Sequence, residues 1–228
     1  AMNRLINLGQ QTGFIYGELT QETFRMLDAQ QQADIVRQNS IRTLDQLNTI
    51  ENMSVATMEQ ITFTLNQYAA QASLAGESIG EMAAMSALLI ETGEESTRAG
   101  TGLRMMYQRL ANEGTGASEA IGEYIEGVEL AEIRQMSLTE VMTGLSGSWA
   151  NMTQEQKQNL AITVGGGRHY VKFIKLMENH TRLIELQANA YQASFPAIDE
   201  LNIRLNSSFM TLERLNAEIE DTKVRIGE

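Results

Sequence analysis

The chain of 228 residues has no cysteine, a single proline and two histidines, and only 6% of its residues are aromatic. Without cysteine, disulfides and thiolate metal sites are excluded, and the redox compartment cannot be read from thiol usage. Basic residues are scarce too: 17 Lys and Arg stand against 29 Asp and Glu, a formal net charge of −12. That balance argues against a phosphate-backbone binder, which needs a basic footprint, and suits solubility and mutual repulsion between chains. No apolar run approaches the roughly 18 residues of a membrane span. The most apolar window, "MAAMSALLI" (82–90), suits a buried core helix. The start, "AMNRLINLGQQTG", lacks the basic region and apolar stretch of a signal peptide, and its Ala1-Met2 reads as a remnant ahead of a piece of something longer.

What is present favours helix: abundant Ala, Leu, Met, Gln and Glu, with 18 glycines as punctuation. Thr57 with Gln60, Ser78 with Glu81, and Thr153 with Gln156 each fit a capping box, in which a hydroxyl and an acid or amide satisfy the exposed amides of a helix start. Gly76, Gly93 and Gly114 stand where helices should stop in a left-handed residue. These signals predict helices near 20–38, 40–50, 58–74, 79–91, 97–112, 119–126, 154–164, 168–192 and 197–225. Ile61, Leu65 and Tyr68 make one apolar face of 58–74, and Met82, Met85, Leu88 and Leu89 one of 79–91. The stretch 127–152 is ambiguous, with a short helix expected near 138–145. Gly9, Gly13 and Gly17 imply a loose or frayed helix at the N-terminus.

The expected fold class is therefore all-α: a compact multi-helix domain at 44–192, an N-terminal helical extension at 1–43, and a long C-terminal helix within 193–228. In that last segment Ile198, Leu201, Leu205, Leu212, Leu215, Ile219 and Ile226 fall on alternating three- and four-residue steps, with Ser208 at one seam position. Such a narrow seam suits coiled-coil pairing or docking along a neighbouring helix, including one of its own domain.

The candidate chemistry is thin. His169 and His180 are eleven residues apart, about 16 Å on a continuous helix and too far for one metal. Glu94-Glu95 and Glu218-Glu220 lie in polar contexts and read as solvated faces. No GxSxG, Walker or dinucleotide fingerprint is present. "AGTGLR" (99–104) has two glycines but sits in mid-helix. "TVGGGRHYVKF" (163–173) remains: amides at a helix start attract anions and Arg168 could assist. Yet "QKQNLAITV" before it reads as helix, so a helix–turn–helix joint is the better account. No catalytic, cofactor-binding or metal-binding residue is assigned.

The order of these segments resembles the conserved region of phage tail tape measure proteins. In that family an "S-x-E-E-L-A-A-x-x-A-L-L" helix ends at glycine, an "S-E-A-G-T-A-L-R" helix follows, and a later "G-x-R/H" break precedes an apolar helix ending in "L-M-x-N". Ser78, Glu81, Met82, Ala83, Ala84, Leu88 and Leu89 fit the first block; Ser96, Ala99, Gly100, Thr101, Leu103, Arg104 and Leu110 the second; Gly166, Arg168, His169, Leu176, Met177 and Asn179 the third. Arg98 stands where the family often has an acid, Gly102 where alanine is usual, and the third block carries an extra glycine. Gly102 is expected to weaken its helix by roughly 1 kcal/mol. The resemblance covers about 44–225.

The resemblance implies a structural role: a helical chain that sets tail length during assembly, occupies the lumen of the tail tube, and leaves ahead of DNA. It implies tail-tube, tail-chaperone and tail-tip or hub proteins as partners, and the host cytoplasm and virion tail as locations. The motif residues, chiefly Ser78, Glu81, Ser96, Gly100, Leu103, Arg104, Gly166, Arg168 and His169, then form the fold rather than catalyse. The seam at 197–226 adds self-association as an expectation. Two other readings stand beside it: a non-catalytic helical adaptor or secreted effector with the same layout, and an enzyme using the 165–169 corner on a phosphorylated ligand.

Overall fold

A computed structural model of the chain describes residues 21–125 and 127–193. Among them the regular structure is helical, with no strand. The helices are α1 (Gln21–Arg25), α2 (Ala29–Met53), α3 (Met58–Leu65), α4 (Ala69–Leu74), α5 (Ile79–Glu91), α6 (Ser96–Leu110), α7 (Ala117–Gly122), α8 (Leu130–Ile133), α9 (Leu138–Trp149), α10 (Gln154–Gly165), α11 (Tyr170–Glu178) and α12 (His180–Ala193), with a 3-10 turn at Glu113–Thr115. The all-α class expected from composition is the observed one. The seam at 197–226 and the glycines at 9, 13 and 17 lie outside the described residues.

Local chemistry places most helix starts. Thr57/Gln60, Ser78/Glu81 and Thr153/Gln156 all close reciprocal capping boxes. Asp28/Gln31 and Ser137/Glu140 do the same at α2 and α9, where none was expected. Gly76 and Gly93 terminate their helices with φ of 80° and 88°. Gly114 does not; the left-handed residue there is Gly116, with φ 67°.

Three helix boundaries differ from expectation. The separate helices near 20–38 and 40–50 are a short α1 and one continuous α2 across Ser40, whose hydroxyl donates to Val36 O inside the helix instead of breaking it. The boundary placed between residues 43 and 44 thus lies within α2. The expected 58–74 helix splits at 66–68, and 168–192 splits at Asn179, whose side-chain amide donates back to Lys175 O. In the ambiguous region, the helix expected near 138–145 runs on to Trp149, and α8 precedes it.

α5 is the centre of the fold. Every residue from Met82 to Leu89 is buried, as expected for a helix apolar on all sides. α2 and α12 pack along each other and against it, while α3, α6 and α11 cover its remaining faces. α10 and α11 form a hairpin whose α10 side lies on α6. One continuous core runs from Leu47 to Ala190 and includes Tyr68, Leu103, Trp149 and Phe173.

Candidate functional site

The glycine corner between α10 and α11 is built by close backbone approach. Gly166 ends α10 with φ 72° and ψ 160°, a region that essentially only glycine occupies. A Cβ on Gly165 would lie 3.0 Å from both N and Cα of Tyr170, so the two helices meet there backbone to backbone. The amides of His169 and Tyr170 both donate to Gly166 O at 3.0 Å. A phosphate cradle points successive amides outward; here those two point inward to one carbonyl. Arg168 is exposed, and it is Arg109 that serves the corner, donating from Nε to Thr163 O at 2.8 Å beside the α10 C-terminus. A cation is favoured at that negative end of the helix dipole.

The motif residues do not converge on one point, but two of their three blocks meet along α6. Leu103 is fully buried and Arg104 exposed. Ser96 opens α6 and its carbonyl accepts from Thr64 Oγ1 at 3.2 Å. A Cβ on Gly100 would stand 2.8 Å from Thr64 O, so α6 passes α3 at a distance only glycine permits. Two residues on, Gly102 faces the third block: a Cβ there would collide with the Lys172 stem and lie 3.5 Å from His169 Nδ1. The glycine expected only to weaken its helix is therefore the seat of Lys172. Ser78 and Glu81 stand apart, capping α5.

Lys172 and Lys175, one turn apart on α11, close on Glu94 in the α5–α6 turn. Their Nζ atoms lie 3.1 Å and 2.5 Å from its carboxylate, and Lys175 also donates to Thr92 O at 2.9 Å, filling an orphan carbonyl at the end of α5. Burial pushes the Glu94 carboxyl up, but the hydrogen bonds from Lys175 and Lys172 outweigh it and hold the group below the usual carboxylate range. Glu94, read as a solvated acid, is thus a partly buried ion-pair centre. Burial, and then the neighbouring Lys172 and Arg168 charges, make His169 harder to protonate. His180 opens a separate helix from the one His169 precedes, and burial lowers its proton affinity as well.

A second buried acid was not foreseen. Glu77 is 2% exposed. One carboxylate oxygen accepts from the Tyr107 hydroxyl, from Leu138 N at 2.9 Å and from Thr139 N at 3.4 Å, so it sits on the N-terminus of α9. The other oxygen is buried and accepts no hydrogen bond from any described residue. Burial dominates and pushes the carboxyl up to about 7, against the opposing hydrogen bonds from Thr139 and Tyr107. Tyr107 stacks on Tyr68 with ring centroids 6.0 Å apart, and Tyr68 in turn donates to Met82 O at 2.6 Å. Burial raises both phenols. Arg182 makes a third connection, joining Met53 O, Glu91 and Glu185.

These groups tie separate helices together. Among the described residues no three His, Cys, Asp or Glu side chains are grouped to hold a metal, and no helix is long and apolar enough to cross a membrane. What the arrangement does chemically is lock helix ends by charge and hydrogen bonds around α5 and α6.

Residues 2–166 match the family model of the phage-related minor tail proteins, and the chain belongs to that family. The match takes in the N-terminal stretch that the sequence resemblance left out, and it stops in the glycine corner, so α11 and α12 lie beyond it. No solved structure matches the chain.

Proposed function

We propose that this member of the phage-related minor tail protein family is a segment of a tape measure, the chain that sets tail length during assembly and occupies the lumen of the tail tube before DNA leaves. The observation that carries the reading is the family match over residues 2–166. The order of capped helix, "AGTGLR" helix and glycine corner within the chain supports the finer assignment. The role is structural. Its partners are the tail-tube, tail-chaperone and tail-tip or hub proteins, met in the host cytoplasm during assembly and in the tail afterwards. A surface with a net charge of −12 keeps such a chain soluble and apart from its copies until those partners organise it.

The test is made on the parent protein in assembling phage. In-frame deletions and duplications of helical sequence outside this folded unit should shorten or lengthen tails in proportion, by at most about 1.5 Å per residue if that sequence lies extended as helix. Electron micrographs showing tails of unchanged length would reject the ruler while leaving membership of the tail intact. A gene lying far from tail genes would favour the adaptor or effector reading instead.

A further inference from the structure

One cavity is unused by the ties described above. It lies where α12 crosses α2 and the start of α5, holds about 280 Å³, and is lined by Gln46, Ser78, Gly80, Glu81, Ile184 and Ala188 among others. Its apolar wall belongs to α12, where Ile184 is 39% exposed. Its polar wall has acceptor capacity to spare. Gln46 is only 4% exposed, yet its carboxamide oxygen accepts no hydrogen bond from any described residue. Buried acceptors are nearly always satisfied, so an orphan beside a cavity calls for a donor. A Cβ on Gly80 would stand 3.5 Å from Gln46 Nε2, which places the carboxamide against the first turn of α5, beside Glu81. The terminal torsion of glutamine is soft, so a part turn brings its oxygen to a donor in the cavity. Gln187, also in the lining, donates from Nε2 to Thr139 Oγ1 at 2.9 Å and keeps its oxygen as an acceptor.

Charge selects the donor. Among the lining residues Glu81 alone is charged. One of its carboxylate oxygens accepts from Ser78 N at 2.7 Å in the capping box, and the other takes no part in it. The start of α5 puts about half a positive charge nearby. The full negative charge of the carboxylate outweighs it, and the net charge of −12 adds attraction for cations. We infer that the cavity binds one alkylguanidinium group, its planar fork on the Glu81 carboxylate and the Gln46 oxygen, its alkyl stem along Ile184 and Ala188. A guanidinium carries five N–H donors and no acceptor, which matches a wall whose unfilled capacity is chiefly acceptor. It is weakly hydrated for a cation, so partial burial costs it little. A volume of about 280 Å³ falls just under the range of drug-sized sites and suits one such group rather than a nucleotide. The group reaches the site either as an arginine side chain of a partner protein or as a free guanidinium compound. The site stands on its own lining and does not depend on the tape-measure reading.

The test follows the isotope-labelled full chain by nuclear magnetic resonance as butylguanidinium is added, with neutral, isosteric butylurea as the control. The Gly80 amide and Gln46 carboxamide signals should shift along one curve with a Kd on the order of 1 mM, the usual strength for so few atoms. The Gly166 amide, at the glycine corner, should stay in place. Glu81→Gln keeps an oxygen for Ser78 N and removes the charge, so it should weaken butylguanidinium roughly tenfold and leave butylurea unchanged. Ala188→Trp fills the cavity from an exposed position and should abolish binding. Circular dichroism melts on each variant check that the helical domain is retained. An arginine blocked at both ends as amides separates the two sources: tighter binding than butylguanidinium assigns the site to a partner protein, weaker binding to a free compound. Unmoved Gly80 and Gln46 signals well above that concentration overturn the proposal. So do equal binding of butylurea, and shifts undiminished in Glu81→Gln or in Ala188→Trp.

Discussion

Glu94 and Glu77 occupy the turns at the two ends of α5, and they make opposite use of burial. Glu94 is met by two ammonium groups, which hold its carboxyl low. Glu77 is met by a phenol and two backbone amides, all neutral, and its carboxyl rises to about 7. The hydrogen bonds at Glu77 are good ones, and α9 adds the favourable end of its dipole. They do not replace solvent for a charge that is 2% exposed, whereas two cations do. The lesson concerns which helices each acid can hold at a given pH. The Glu94 centre binds α11 to the α5–α6 turn most strongly when ionised. At Glu77 the hydrogen bonds from α6 and α9 favour the ionised carboxylate, but burial outweighs them, so the fold is most stable with that group neutral.

Removing the charge at Glu94 should have the largest effect. Glu94→Ala leaves the Lys172 ammonium, 8% exposed, without a counter-charge, which should cost about 4 kcal/mol by analogy with other broken buried pairs. Thermal unfolding followed by circular dichroism should fall by roughly 10 °C for a domain of this size. A shift of under 2 °C would mean that the lysines find water at once, and the contrast between the two acids would collapse.

The pH dependence at Glu77 comes next. Its folded value of about 7 lies above the ordinary carboxylate value of 4.5, so the folded state holds the proton more tightly. The stability from the neutral form is fully present below about 4.5 and is lost as pH rises through about 7, a loss on the order of 3 kcal/mol. Glu94 works in the other direction: its stabilisation is present at neutral pH and lost as pH falls through its lowered folded value. Melting temperature measured from pH 5 to 8 should therefore decline in the unaltered chain and stay nearly level in Glu77→Gln. Parallel curves for the two proteins would show that Glu77 is not the titrating group.

Tyr107→Phe sharpens the same contrast from the neutral side. It removes a donor that favours the ionised carboxylate, so it should cost about 1.5 kcal/mol above neutral pH and less at pH 5. Gly102→Ala probes the ionic side with the smallest effect. Its Cβ would displace the Lys172 stem while gaining helix propensity, for a net loss of about 1 kcal/mol. In the Glu94→Ala background, with Lys172 released, the loss should shrink or reverse, as expected for residues sharing one partner. Additive losses in the double variant would separate Gly102 from the pair.

How much of this was legible in the sequence follows the range of each interaction. Ser78 and Glu81 are three residues apart and bond each other's amides, so two letters suffice to forecast the α5 start. Asn179 and Asn66 break helices that periodicity made continuous, through side chains that turn back on their own carbonyls. Asparagine competes for the backbone in this way, but nothing local says when it succeeds. Glu77 reads as one acid in the polar run "GESIGE", and only its donors at 107, 138 and 139 make it unusual. The glycine corner was legible as a joint, yet the service of Arg109 to it, 54 residues away, was not.

Composition, caps and apolar spacing by themselves determined that this chain is helical, that α5 is its buried centre and that the glycine run at 165–167 marks a joint between two helices. Those properties depend on groups within one or two turns of each other, where the covalent chain supplies proximity. Tertiary structure alone decided that Gly102 houses a lysine, and that Glu94 is ionised among cations while Glu77 is raised without them. Each of those depends on which distant side chain arrives as the helices pack, and on how much water that arrival removes.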